Sequence, residues 1–95
     1  MKVLKIENNK GYYVLNNEDK DIVDINKEDI FSLLNVIYDN ETKMDEINED
    51  NIILNDAARI IYKGIYEYLY SFSIQKENIK KEIDEEFKEL EELIN

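Results

Sequence analysis

The sequence predicts an α+β domain, a small antiparallel sheet of about three strands followed by three helices. Three observations carry that expectation. Residues 2–25 hold short β-branched and aromatic runs separated by turn residues. Residues 26–39 and 56–94 place apolar side chains at steps of three and four. The stretch between those two regions is acidic and follows neither pattern. At 95 residues the chain makes one domain.

The elements follow in order. In the first strand Leu4 and Ile6 can share one face while Val3, Lys5 and Glu7 share the other. Asn8-Asn9-Lys10-Gly11 reads as a turn in which Gly11 takes positive φ. Tyr12-Tyr13-Val14-Leu15 is the second strand. Asn16-Asn17 opens another turn, and residues 21–25 form a short third strand, completing a meander over 2–25. Such a sheet needs helices to pack on.

Asn26 is the expected N-cap of a first helix over 26–39, with Glu28 and Asp29 favouring the positive end of its dipole. Ile30, Leu33, Leu34, Ile37 and Tyr38 form its apolar stripe. The acidic connection, 40–55, is anchored by Met44, Ile47 and Ile52–Leu54, the last a short strand or a buried hook. Asn55 or Asp56 caps a second helix, 56–73. A third helix, 75–94, carries Ile79, Ile83, Phe87, Leu90 and Ile94 on a single stripe.

The second helix contains ARIIYKGIYEYLYSF, with four of the chain's seven tyrosines. At 100° per residue Ala58, Ile61, Ile65, Tyr68 and Phe72 form the expected core face, so Tyr68 points inward. Gly64 beside that face allows close approach of another backbone. Tyr62, Tyr66 and Tyr70 step by four and make a ridge between the core face and the charged face of Arg59, Lys63 and Glu67. Either the third helix or the sheet covers this ridge, or it is open as a docking surface or a self-association seam.

Composition bounds the chemistry. The formal net charge is −11, from 23 acids and 12 bases, which argues against direct nucleic-acid or anionic-lipid binding and favours basic partners. The chain has no Cys and no His, so disulfides, thiolate catalysis and a His-based triad are excluded. It has two glycines and no phosphate-binding loop. Asp45, Glu46, Glu49 and Asp50 are the densest acids. Residues 48–56 lack the turn glycine and the spaced final Glu of a calcium loop, so neither metal nor cofactor is expected. No apolar run reaches the length of a membrane span, and the start lacks a signal-peptide core, so the expectation is a cytoplasmic, non-enzymatic protein.

The segments LNDAARIIYKGIYEYL, KVLKIENNKGYYVLN and MDE together resemble a group of small proteins of low-GC Gram-positive bacteria and their mobile elements. That resemblance covers most of the chain. It implies a hairpin, a helix, an acidic connection and a further helix, and a bacterial or phage origin, but it brings no site residues. By type alone the chain is also similar to phage-encoded inhibitors such as anti-CRISPR proteins. This implies an inhibitor whose carboxylates compete with nucleic acid for a basic site on a host protein. The expected partner-binding residues are Asp45, Glu46, Glu49 and Asp50, with Tyr62, Tyr66 and Tyr70 as anchors. The alternative is an adaptor that forms a homodimer through the tyrosine helix, with the acids serving solubility.

Overall fold

The computed structural model describes residues 1–94. It is an α+β fold with a four-stranded mixed sheet and two α-helices. The strands are β1 (Lys2–Glu7), β2 (Lys10–Leu15), β3 (Glu18–Asp21) and β4 (Lys43–Met44), in the order β3-β2-β1-β4. The first three pair antiparallel, and β4 runs parallel to β1. The helices are α1 (Lys27–Asp39) and α2 (Asp56–Ile94).

Both hairpins close on asparagine pairs. Asn8, Asn9, Asn16 and Asn17 all have positive φ, between 51° and 64°. Two consecutive left-handed residues give the turn whose twist matches that of the flanking strands. Asparagine tolerates this conformation better than other side-chain-bearing residues. Gly11 was expected to supply the positive φ, but it lies inside β2 with ordinary backbone angles. Its requirement is space: a Cβ there would sit 2.8 Å from Tyr62 Cδ2 and 2.9 Å from Ile53 Cδ1. Gly64, expected to admit a neighbouring backbone, has open space around it. The two glycines should therefore respond oppositely to alanine. Gly11→Ala overpacks the core and costs about 1–3 kcal/mol. Gly64→Ala gains about 0.5–1 kcal/mol through helix propensity. Urea denaturation of both variants measures the two signs.

The third strand comes earlier than expected, at Glu18–Asp21, and Ile22–Asp24 turns into a short 3-10 segment. The Asp21 carboxylate accepts from the Val23 amide and caps that segment, which drops Ile22 into the core. α1 begins where expected. Asn26 accepts from the Asp29 amide at 2.8 Å, and Asp29 accepts in return from the Asn26 amide at 3.3 Å, a closed capping box. The same Asp29 carboxylate accepts from the Tyr13 hydroxyl at 2.6 Å, tying β2 to the start of α1. Burial, then the Asp29 charge and hydrogen bond, push the Tyr13 phenol up to about 12.

Residues 52–54 form a hook rather than a strand. Ile53 is fully buried, Ile52 and Leu54 are exposed, and the Leu54 amide bonds the Asn9 carbonyl. Asn55 then caps α2 by accepting from the Ala58 amide.

The main correction concerns the helices. The second and third expected helices are one, 39 residues long. At 1.5 Å per residue that spans about 58 Å, in line with the molecule's longest dimension of 59 Å. Nothing between Ser73 and Gln75 interrupts the ladder. No proline or glycine is present there, and the Ser73 hydroxyl donates to the Tyr70 carbonyl within the helix.

The phase of α2 also differs from expectation. Its buried residues are Ala58, Tyr62, Leu69 and Lys76, with Ile61, Ile65, Tyr66 and Phe72 partly buried. Tyr68, expected inward, is 57% exposed, while Tyr62, expected on the ridge, is fully buried. The buried face is rotated by about 50° from the expected one, half a residue's turn. α2 packs on β2, the 3-10 segment and α1, and closes a core of Leu4, Tyr13, Ile22, Leu33, Ile37, Ile53, Tyr62 and Leu69.

Candidate functional site

The acidic connection and α2 form a groove of about 570 Å³. Glu46 and Ile47 make one wall. Arg59, Ile60, Lys63, Tyr66 and Glu67 make the other, and Tyr62 lies between them.

Asp45 organises the first wall. Its amide donates to the Leu4 carbonyl, continuing the line of β4 along β1. Its carboxylate accepts from the Ile6 amide at 2.9 Å and from the Lys2 ammonium at 2.9 Å. Its carbonyl accepts from the Tyr62 hydroxyl at 2.5 Å. Asp45 was expected to present its charge to a partner. Its charge is instead spent on an open sheet edge, where it satisfies an amide that β4 is too short to reach.

Burial alone would raise the Asp45 carboxyl. The hydrogen bonds from Lys2 and the Ile6 amide outweigh burial and hold it below its ordinary value. A depressed carboxyl contributes stability that is present above its unfolded pKa and lost as pH falls through the folded one. Asp45→Asn should therefore cost about 1.5–3 kcal/mol near pH 7. The gap between the two proteins should close in acid, below the ordinary value of 3.8. Parallel denaturation series from pH 7 to pH 3 read this directly.

The remaining expected site residues divide. Tyr62 is core and offers no ring to a partner. Tyr66 and Tyr70 stack with ring centroids 6.0 Å apart and planes within 6°. Tyr66 is half-buried and Tyr70 is exposed. Burial, then the charge of Glu46 and the neighbouring Tyr70, raise the Tyr66 phenol above its ordinary value. Glu46 and Tyr66 thus line the groove together, and Tyr70, stacked on Tyr66, extends the cluster beyond it. Glu49 and Asp50 sit apart on an exposed turn, where Asn48 accepts from the amides of Asp50 and Asn51. Among the described residues no three acids gather where a cation could be held. Among the same residues no helix is long and apolar enough to cross a membrane.

One stripe that the sequence shows lies uncovered, which the sequence does not reveal. From Glu77 to Ile94 every residue of α2 is exposed. Ile79, Ile83, Phe87, Leu90, Leu93 and Ile94 are 50–84% exposed. They continue the face that Ala58, Ile65 and Phe72 turn toward the core, but the sheet and α1 do not extend far enough to cover it. The stripe itself was legible in the sequence, but the missing cover was not. Only a break after Ser73 would have folded the stripe back on the domain.

The chain matches no protein-family model, no curated protein and no solved structure.

Proposed function

We propose that the chain is a non-enzymatic, acidic protein-binding protein that occupies a basic surface on a partner handling nucleic acid. The observation that carries this reading is the cluster of Glu46, Tyr66 and Tyr70 at an open groove. The cluster combines a carboxylate with two stacked phenols, one of them in the groove wall. Tyrosine offers large rigid contact area with a polar tip, and a neighbouring carboxylate selects Lys or Arg. The net charge of −11 would speed encounter with such a surface. The resemblances in sequence suit a phage or mobile-element inhibitor acting in the bacterial cytoplasm, of the anti-CRISPR type.

The test is capture from nuclease-treated host lysate with the wild-type chain and with a Glu46→Lys/Tyr66→Ala double variant. The expected result is a basic protein retained by the wild type, with an association rate that falls as salt rises. The double variant should weaken its binding by at least about tenfold, roughly 1.4 kcal/mol. Retention by both proteins alike, at all salt concentrations, would overturn the reading.

The Tyr66–Tyr70 stack, with Tyr70 exposed, also suits a second reading, a two-fold seam between copies of the chain. Sedimentation separates the two, because a dimer seam predicts a dimer that Tyr66→Ala dissociates.

A further inference from the structure

The bare stripe on α2 is separate from the groove. An amphipathic helix gains most of its stability from packing its apolar face, and this one leaves six large apolar residues in water. Its edges say what covers it. Residues 82–92 hold seven acids, Glu82, Asp84, Glu85, Glu86, Glu89, Glu91 and Glu92, against the single base Lys88. At 100° per residue Glu82, Glu86 and Glu89 border the stripe on one side, and Asp84 and Glu91 border it on the other. Lys88 lies on the far side. Lys80, on the second border, is held by the domain itself: it donates to the Tyr38 carbonyl at 3.3 Å and sits 5.3 Å from the centre of the Tyr38 ring.

A second copy is a poor occupant. In an antiparallel pair each border meets its own copy, so Glu82, Glu86 and Glu89 face Glu82, Glu86 and Glu89. In a parallel pair they face Asp84 and Glu91. Both arrangements set acids against acids, which is destabilising.

We propose that the exposed half of α2 pairs with an amphipathic helix of a partner protein whose apolar stripe is flanked by Lys and Arg. The pairing buries Ile83, Phe87 and Leu90 at its centre, and the acidic borders set its specificity against acidic helices. This rests on the reading of the chain as a binding protein but not on the groove.

The experiment uses the full chain and three synthetic peptides of about three heptads each. One has Leu at the seam positions and Lys on both flanks. The second replaces the flanking Lys by Glu. The third scrambles the first, keeping its charge and losing its stripe. Fluorescence anisotropy reads binding, and sedimentation reads the state of the chain alone. The expected results are a monomeric chain that binds the first peptide and gains helical signal with it. Affinity for the other two should be weaker by at least about tenfold. Phe87→Asp should abolish binding with the helical signal of the free chain unchanged, and Glu46→Lys/Tyr66→Ala should leave it intact. Equal binding of the scrambled peptide would overturn the proposal, since charge alone would then suffice. A stable dimer that Phe87→Asp dissociates would overturn it in favour of a second copy. No binding of the first peptide would also overturn it, while leaving the groove to be judged by lysate capture.

Discussion

Tyr62→Ala should unfold the domain or bring it close to unfolding. The ring is fully buried among the core residues and meets the sheet at Gly11, the one core position with no side chain of its own. Removing a buried aromatic ring costs about 3–5 kcal/mol, against a total of about 5–15 for an ordinary domain. A second cost comes from Asp45, whose carbonyl loses the Tyr62 hydroxyl. Tyr62→Phe separates the two contributions: it keeps the ring, loses the hydrogen bond, and should cost about 1–3 kcal/mol. Urea denaturation followed by circular dichroism measures both. The two proteins should also differ in alkali. Burial, then the charges of Asp45 and Tyr66, raise the Tyr62 phenol above its ordinary value of 10.0. A raised phenol contributes stability that is fully present below the unfolded pKa and lost as pH rises through the folded one. Wild-type stability should therefore fall more steeply above pH 10 than that of Tyr62→Phe. Equal slopes would mean that Tyr62 ionises as freely in the fold as in the open chain.

The elements that sequence reveals best here are those decided locally. The cap at Asn26, the extent of α1 and the first hairpin each depend on a few adjacent residues, and each formed within a residue or two of expectation. The errors share a different cause, because they depend on what lies across space. The phase of α2 was drawn from residue type, with Ile, Phe and Tyr68 inward and the other three phenols of the helix at the border. The actual phase is set by a phenol that finds a backbone carbonyl, by Leu69 seven residues on, and by Lys76 a further seven on. A seven-residue spacing from Tyr62 through Leu69 to Lys76 was visible, but a lysine in the core face argues against itself until its partners are known. Asp45 carries the same lesson. Among four nearby acids nothing local marks it out, and its role comes from an amide of β1 that is close only in the fold. The fourth strand was invisible for the same reason, being two residues long and ordered by Met1 and Leu4.

Lys76 provides the second large effect. It is only 7% exposed, the one charged residue that is buried among the described residues. An isolated ammonium in that position would be costly, yet no carboxylate of the described residues pairs with it. Its partners are the carbonyls of Ile37 and of Asn40, the latter at 2.8 Å. These lie at the C-terminal end of α1, where helix carbonyls lack intrahelical donors and the dipole is negative. α1 has no basic residue of its own in its last turn, so α2 supplies one. The arrangement joins the two helices where α2 leaves the domain, just before its exposed half begins. Lys76→Met keeps most of the apolar stem and removes the charge, leaving both carbonyls without their donor. It should cost about 2–4 kcal/mol, from hydrogen bonds to a charged group and the lost dipole interaction. Lys76→Arg should be intermediate, because the guanidinium is larger than the site that the ammonium fills. Because the bonds are buried, the loss should change little between low and high salt, unlike a surface ion pair. Amide exchange at the end of α1 should accelerate in Lys76→Met, while the capping box at Asn26 stays protected. If both ends of α1 loosen equally, Lys76 acts through global stability alone and does not cap α1.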